Sequence, residues 1–218
     1  MDHEFWQERW RRGEIGFHRS DTSPELIAHW PLLDVASSTR VFVPFCGKSL
    51  DMAWLAAAGH EVVGAELSAL AVRQFFAEHE MTPSETRFGE HIVFSTPGIT
   101  IWCGDMFTLP TSALEGIGAV YDRASLVALP APMRLQYAAF MADMLAAGTR
   151  TLLLTLEFDQ REMSGPPFSV SEREVASLFA SAFDIRVIDT NEAIDRDPNL
   201  RKRGLTSLIA QTSILTRH

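Results

Sequence analysis

The chain has 218 residues, 46% of them hydrophobic and 10% aromatic, enough for one sizeable core, which excludes general disorder. Its formal net charge of −9 sets nucleic acid aside as a partner, and two cysteines, Cys46 and Cys103, exclude a disulfide framework or a zinc pattern and fit a reducing cytosol. The charged start "MDHEFWQERWRRGE" is no signal peptide, and no apolar run approaches the roughly 20 residues of a membrane span, so a soluble cytoplasmic protein with no membrane partner is expected.

Residues 2–12 read as a short helix bearing Phe5, Trp6 and Trp10. Ser23 and Pro24 make a helix start, Ser as N-cap and Pro at the first helical position, leading into "ELIAHW". "RVFVPF" (40–45) is a buried strand and 49–58 a helix capped by Ser49. "HEVVGAEL" (60–67) is the second strand, with a helix from Ser68 to about His79. "HIVFS" and "TIWCG" flank the turn "TPG" (96–98) as a pair of short strands. "GAVYD" (118–122) is the next strand, followed by a helix over 132–147, the apolar strand "RTLLLTLEF" (150–158) and a helix over 171–182. "DIRVID" and "SLIAQTSILTR" close the sheet as an antiparallel pair at one edge. This alternation predicts an α/β fold, a doubly wound sheet covered on both faces, whose ligand lies beyond the carboxyl ends of the strands. No repeat or low-complexity linker interrupts residues 1–218, so a single domain is expected.

The turn in "VFVPFCGKSLDMAWL" resists three familiar readings. A phosphate loop needs a Gly five positions before the Gly of GK, and that position is Phe42. A nucleophile elbow needs G-x-S-x-G, and Asp51 stands in place of the second small residue. A dinucleotide fingerprint needs three glycines, and only Gly47 is present. Glu66, however, ends the second strand 19 residues after Gly47, the spacing of an acid that accepts hydrogen bonds from ribose hydroxyls; the alternative is a solvated strand-end glutamate. Asp105 follows "TIWCG", where it can accept from an adenine amino group or cap the next turn. Asp122 and Arg123 end the "GAVYD" strand at the same edge. Polar groups at successive strand ends, without a pyrophosphate loop, point to an adenosine ligand lacking pyrophosphate, and S-adenosylmethionine fits.

The segments "FWQERWRRGEIGFH" (5–18), "PFCGKSLDMAWLAAAGHEVVGAELS" (44–68), "GDMFTLP" (104–110), "YDRASLVAL" (121–129) and "GPPFSV" (165–170) together resemble the thiopurine S-methyltransferases, bacterial members in particular, within the class I methyltransferase fold. The resemblance implies a Rossmann-like sheet of seven strands, all parallel except one near the edge, with residues 1–30 as an N-terminal active-site cover. It implies S-adenosylmethionine as cofactor, leaving as S-adenosylhomocysteine, and no metal. Trp10, Phe45, Gly47, Glu66, Leu67 and Arg123 match cofactor-contacting positions, and Asp105 and Met106 the segment that flanks the adenine. Phe17 matches an aromatic near both cofactor and acceptor, and the loop "MSGPPFS" (163–169) a segment near the acceptor in which Phe168 can supply an apolar wall; His18 is read with them as substrate-binding, the alternative being a plain loop or helix-edge residue. The implied acceptors are aromatic and heterocyclic thiols, including thiopurines, with selenium and tellurium compounds, and so tellurium resistance, associated with bacterial relatives. A monomer acting on a small molecule is expected.

The chemistry agrees. A sulfonium is a compact cation, drawn to aromatic faces such as Trp6, Trp10 and Phe17; the alternative for these rings is a hydrophobic staple of a terminal helix. Arg123 offers a planar fork to the methionine carboxylate, to an acceptor, or to Asp122 as an ion pair. Asp122, Arg123 and His18 are candidates for acceptor orientation or proton handling, and no His–Asp dyad or nucleophile triad is evident. The basic clusters "RWRR" (9–12) and "RKR" (201–203) are either solvated faces or attractors of an anionic acceptor. Two other functions stay open: a nicotinamide-dependent oxidoreductase, and a non-catalytic sensor of an adenosine ligand.

Overall fold

A computed structural model describes residues 3–218; residue 2 of the expected first helix and residue 1 of the expected cover lie outside the described residues. Two compact units divide the chain, the first ending at Tyr121 and the second running Asp122–His218.

The first unit begins with helices α1 (His3–Arg12) and α2 (Pro24–His29). Strand β1 (Arg40–Val43) leads to helix α3 (Leu50–Ala57), and β2 (Glu61–Glu66) to α4 (Ala69–Glu78). Strands β3 (Ser84–Phe88), β4 (His91–Thr96), β5 (Ile99–Cys103) and most of β6 (Ile117–Arg123) complete it. The strand order here is β3-β4-β5-β2-β1-β6, with β1 parallel to both β2 and β6 and β2 parallel to β5. The parallel strands are apolar and buried along their length, as strands covered on both faces must be: Val41, Phe42, Val62, Val63 and Ile101 are inaccessible to solvent. Both crossover helices are capped from sequence-local serines, Ser49 accepting from the Asp51 amide at 3.3 Å and Ser68 from the Ala71 amide at 3.3 Å. Gly64 is required by close approach, because a β-carbon there would stand 2.7 Å from the Cys46 sulfur.

The second unit holds helices α5 (Ala131–Met144), α6 (Glu172–Phe179) and α7 (Pro198–Lys202), with strands β7 (Arg150–Glu157), β8 (Phe183–Glu192) and β9 (Ile209–Arg217). Strand β9 lies between β7 and β8 and runs antiparallel to both, as the closing pair was expected to do. A satellite core of Phe158, Met163, Ile194, Leu200, Leu205 and Leu208 packs the segments around residues 158–163 and 193–208.

Two details differ from expectation. Nine strands are present among the described residues, two more than seven, because β3 and β4 extend the β5 edge as an antiparallel meander. The pairings Phe88↔His91 and Thr96↔Ile99 leave two-residue turns, which reverse the chain and cannot make a parallel crossover. Ser23 sits at the N-cap of α2 without a capping hydrogen bond; its hydroxyl donates to Glu25 and its amide to Asp51 Oδ1 at 2.8 Å. Among the described residues no helix is long and apolar enough to cross a membrane.

Candidate functional site

The turn after β1 folds as it does because two consecutive demands meet there. Phe45 takes a left-handed conformation (φ 43°) and Gly47 another (φ 53°), so the backbone doubles back and presents the Gly47 amide toward β2. For a bulky aromatic that conformation costs roughly 1–2 kcal/mol, and such strain persists only where the surroundings enforce it. The Cys46 amide is tied to the Ala65 carbonyl at 2.9 Å, which supplies part of that enforcement.

Glu66 completes the turn. Its side chain is 6% exposed, with Oε2 accepting from the Gly47 amide at 2.8 Å and Oε1 from the Ser68 amide at 2.7 Å. Burial raises its pKa, and the amides of Ser68, Gly47 and Leu67 oppose the rise. A carboxylate carries about four lone-pair sites. The oxygens therefore keep acceptor capacity beyond these two amides, which is what a pair of ribose hydroxyls requires. The acid is thus no solvated strand end.

Trp10 is brought onto the same turn. A β-carbon at Gly47 would lie 3.1 Å from the Trp10 ring and 4.0 Å from Glu66 Oε2, so indole, glycine and carboxylate converge within one small volume. Phe17 packs edge-on to Trp10 at 5.6 Å and to Trp6 at 5.7 Å, and Phe5 in turn packs on Trp6. These rings form one edge-on aromatic cluster whose Trp10 member lies against the Gly47 turn. His18 is half-buried, its amide closing a turn on the Ile15 carbonyl at 2.8 Å. Phe45 is half-buried against Phe107, with ring centroids 6.2 Å apart.

Gly47→Ala should therefore do two things: force a left-handed alanine, at about 1–2 kcal/mol, and push the Trp10 ring aside. The expected result is a modest fall in melting temperature and a larger fall in affinity for S-adenosylhomocysteine, read by thermal melts and titration. Unchanged affinity would remove the glycine from the site.

Asp105 does cap the next turn, its Oδ1 accepting from the Phe107 amide at 2.9 Å, while Oδ2 lies 3.4 Å from His3 Nε2. Met106 beside it is buried. Leu67 is half-buried, and its carbonyl faces the Cys103 sulfur at 3.9 Å. Both thiols are held protonated: burial, with the Glu66 charge second, pushes Cys46 well up and Cys103 up to about 11. Neither is a poised nucleophile.

The remaining predicted residues belong to the second unit. Arg123 is half-buried at the end of β6. Phe168 lies in the loop after β7, its amide donating to the Val127 carbonyl at 2.6 Å and its ring packed so closely on Gly165 that a β-carbon there would come within 2.6 Å. Asp122 is 1% exposed and accepts from the Tyr137 hydroxyl at 2.5 Å. Burial pushes its carboxyl up to about 6, against the hydrogen bonds of Tyr137, Ser125 and the Leu126 amide. Tyr137 was not singled out in the sequence, since nothing local ties a helix tyrosine to a strand-end aspartate. Of the basic clusters, Arg11 and Arg12 both pair with Glu8 and Arg9 with Glu14, whereas Arg201 pairs with Asp195 and Arg203 donates to the Pro166 carbonyl at 2.9 Å. Among the described residues no group of three or more His, Cys, Asp or Glu side chains could hold a metal ion.

The chain matches the family model for thiopurine S-methyltransferase over residues 1–218. It is 43% identical over 219 residues to a thiopurine S-methyltransferase of Nitrosomonas eutropha, covering 100% of this chain and 99% of that one. It is 46% identical over 208 residues to one of Bordetella petrii, covering 95% of each. Among solved structures it is similar to magnesium protoporphyrin IX methyltransferase of Synechocystis with bound SAH, at TM-score 0.65 and 12% identity over the whole of both chains. A SAM-dependent methyltransferase of Anabaena variabilis gives TM-score 0.66 at 12% identity, over 99% of this chain and 95% of that one. Likeness at such identities concerns the fold, and the fold is that of class I methyltransferases. With a family match along its full length and relatives above 40% identity across nearly all of it, the chain belongs to the thiopurine S-methyltransferase family of S-adenosylmethionine-dependent methyltransferases.

Proposed function

We propose that the protein transfers a methyl group from S-adenosylmethionine to the sulfur of an aromatic or heterocyclic thiol of the thiopurine kind, and that selenium and tellurium compounds are further acceptors. It acts as a cytoplasmic monomer on small molecules, with residues 1–30 serving as the cover. The observation that carries the reading is the convergence of Trp10, Gly47 and the buried Glu66 carboxylate at the end of β2.

S-adenosylmethionine supplies a methyl carbon already activated by a sulfonium. The chain's own residues have the simpler tasks of holding, aligning and drying. Glu66 accepts from the ribose hydroxyls, each charge-assisted bond contributing about 1.5–3 kcal/mol. Asp105 and Met106 flank the adenine. The Trp10 ring attracts the cation by roughly 0.5–2 kcal/mol, depending on desolvation, and with Phe17 excludes water. Arg123 orients a carboxylate or an anionic acceptor through its planar fork, and Phe168 supplies an apolar wall. Alignment of this kind corresponds to effective molarities of about 10⁵–10⁸ M. An acidic thiol needs no strong base.

The test is formation of S-adenosylhomocysteine by the purified chain with aromatic thiols, a thiopurine, and selenium and tellurium compounds. Thiol-dependent product formation is expected. Binding of S-adenosylhomocysteine without transfer to any member of the panel would make the protein a sensor rather than an enzyme.

A further inference from the structure

Asp122 was expected to orient the acceptor or handle its proton. Its surroundings suit a different task. The residue ends in the interior of the second unit, beside a cavity of about 10 Å³ lined by Tyr137 and Met141 of α5, Thr151 and Leu153 of β7, Phe179 of α6, Phe183 of β8 and Leu215 of β9. That is at most the room of one water. A proton acceptor for a thiol must meet the thiol, and no acceptor of the proposed class fits there.

The carboxylate is instead spanned between a helix and its own following turn. Tyr137, fully buried on α5, donates to Oδ2, and the Ser125 hydroxyl and the amides of Ser125 and Leu126 act on the same carboxyl from the chain just beyond it. None of these meets Oδ1 in hydrogen-bond geometry, so that oxygen is buried without a partner among the described residues. Between Asp122 and Ser125 stands Ala124 in a left-handed conformation (φ 65°), which a non-glycine residue holds only under constraint. Arg123 is the other residue in that interval. Arg123 thus ends β6 immediately before the left-handed residue, and the residues just beyond it carry donors to the buried carboxylate.

We propose that Asp122 and Tyr137 are a positioning pair: the Tyr137 hydroxyl holds the Asp122 carboxylate, the carboxylate holds the turn over 123–126, and the turn aims the Arg123 guanidinium. The proposal rests on the reading that Arg123 meets the acceptor or the cofactor carboxylate. Neither Asp122 nor Tyr137 touches a reactant; both act through Arg123.

The test is a kinetic cycle on the full chain, with kcat and KM measured for Tyr137→Phe, Arg123→Ala and their double variant, alongside Asp122→Asn and thermal melts. Arg123→Ala should lower kcat/KM at least tenfold, about 1.4 kcal/mol. Tyr137→Phe should lower it severalfold, and the double variant should be no worse than Arg123→Ala, since residues acting as a unit are not additive. Asp122→Asn keeps one acceptor oxygen of two and should fall severalfold, as Tyr137→Phe does, with the pH profile of kcat unchanged in shape. Full additivity, or an unaffected Tyr137→Phe, overturns the pair. A pH profile of kcat that loses its acid limb in Asp122→Asn would restore the proton-handling role and overturn the pair as well. Full activity in Arg123→Ala defeats the underlying reading of Arg123, and the pair with it, while leaving cofactor binding by the first unit untouched. Should Tyr137→Phe fail to fold, Ser125→Ala removes another brace of the same carboxyl and takes its place in the cycle.

Discussion

Replacing Glu66 with alanine is expected to weaken S-adenosylhomocysteine binding at least tenfold. On the proposed function two charge-assisted bonds to the ribose would be lost, each contributing about 1.5–3 kcal/mol, where 1.4 kcal/mol corresponds to one factor of ten. Truncation has a second effect, on the fold. The amides of Gly47 and Ser68 lose their acceptor, and a buried donor left unpaired costs about 1–3 kcal/mol. The melting temperature should therefore fall as well, and titration must be done well below it. Affinity unchanged in a folded variant would take Glu66 away from the ribose.

Asp122 should make the protein more stable in mild acid than its other carboxylates alone would allow. Its folded pKa of about 6 lies above the ordinary value of 3.8, with burial the main cause. The sign follows directly. Below about pH 4 both folded and unfolded chains carry the proton, and burial of the neutral acid has no ionic cost. As pH rises through about 6, the folded state must bury a charge and stability is lost, by roughly 3 kcal/mol in full at pH 7 and above. Tyr137 is the one titratable side chain among those lining the cavity beside it; the rest are Met141, Thr151, Leu153, Phe179, Phe183 and Leu215. Asp122→Asn should accordingly be more stable than wild type near pH 7, with the difference closing toward pH 4. Equal melting temperatures across that range would show that Asp122 is solvated or neutralised in a way its 1% exposure does not suggest.

Most of the architecture was legible because the signals are local. Apolar runs bounded by glycine turns mark β1, β2 and β6, and serines at 49 and 68 start helices where a cap can reach an amide two or three residues on. Strand β3 was not legible: "SETRF" is exposed along its length, with charges and no alternation, and exists because the reversed β4 offers it an edge. Helix α7 was missed for a similar reason, being five residues long and held by Leu200 in the satellite core. At the site, the spacing of Gly47 and Glu66 is a sequence property and could be read. The seating of Trp10 on Gly47, 37 residues away, and the Tyr137–Asp122 bond are products of packing and could not. Resemblance named Trp10 as a cofactor residue; packing shows why a glycine must lie beneath it.

The most direct measurement is calorimetric titration of the purified chain with S-adenosylhomocysteine, repeated on Trp10→Ala and Glu66→Ala. One ligand per chain at micromolar affinity, weakened in both variants, is the expected result. No binding by wild type up to millimolar ligand, or binding indifferent to both substitutions, would contradict the assignment of the Trp10–Gly47–Glu66 turn as the place where the methyl donor is held.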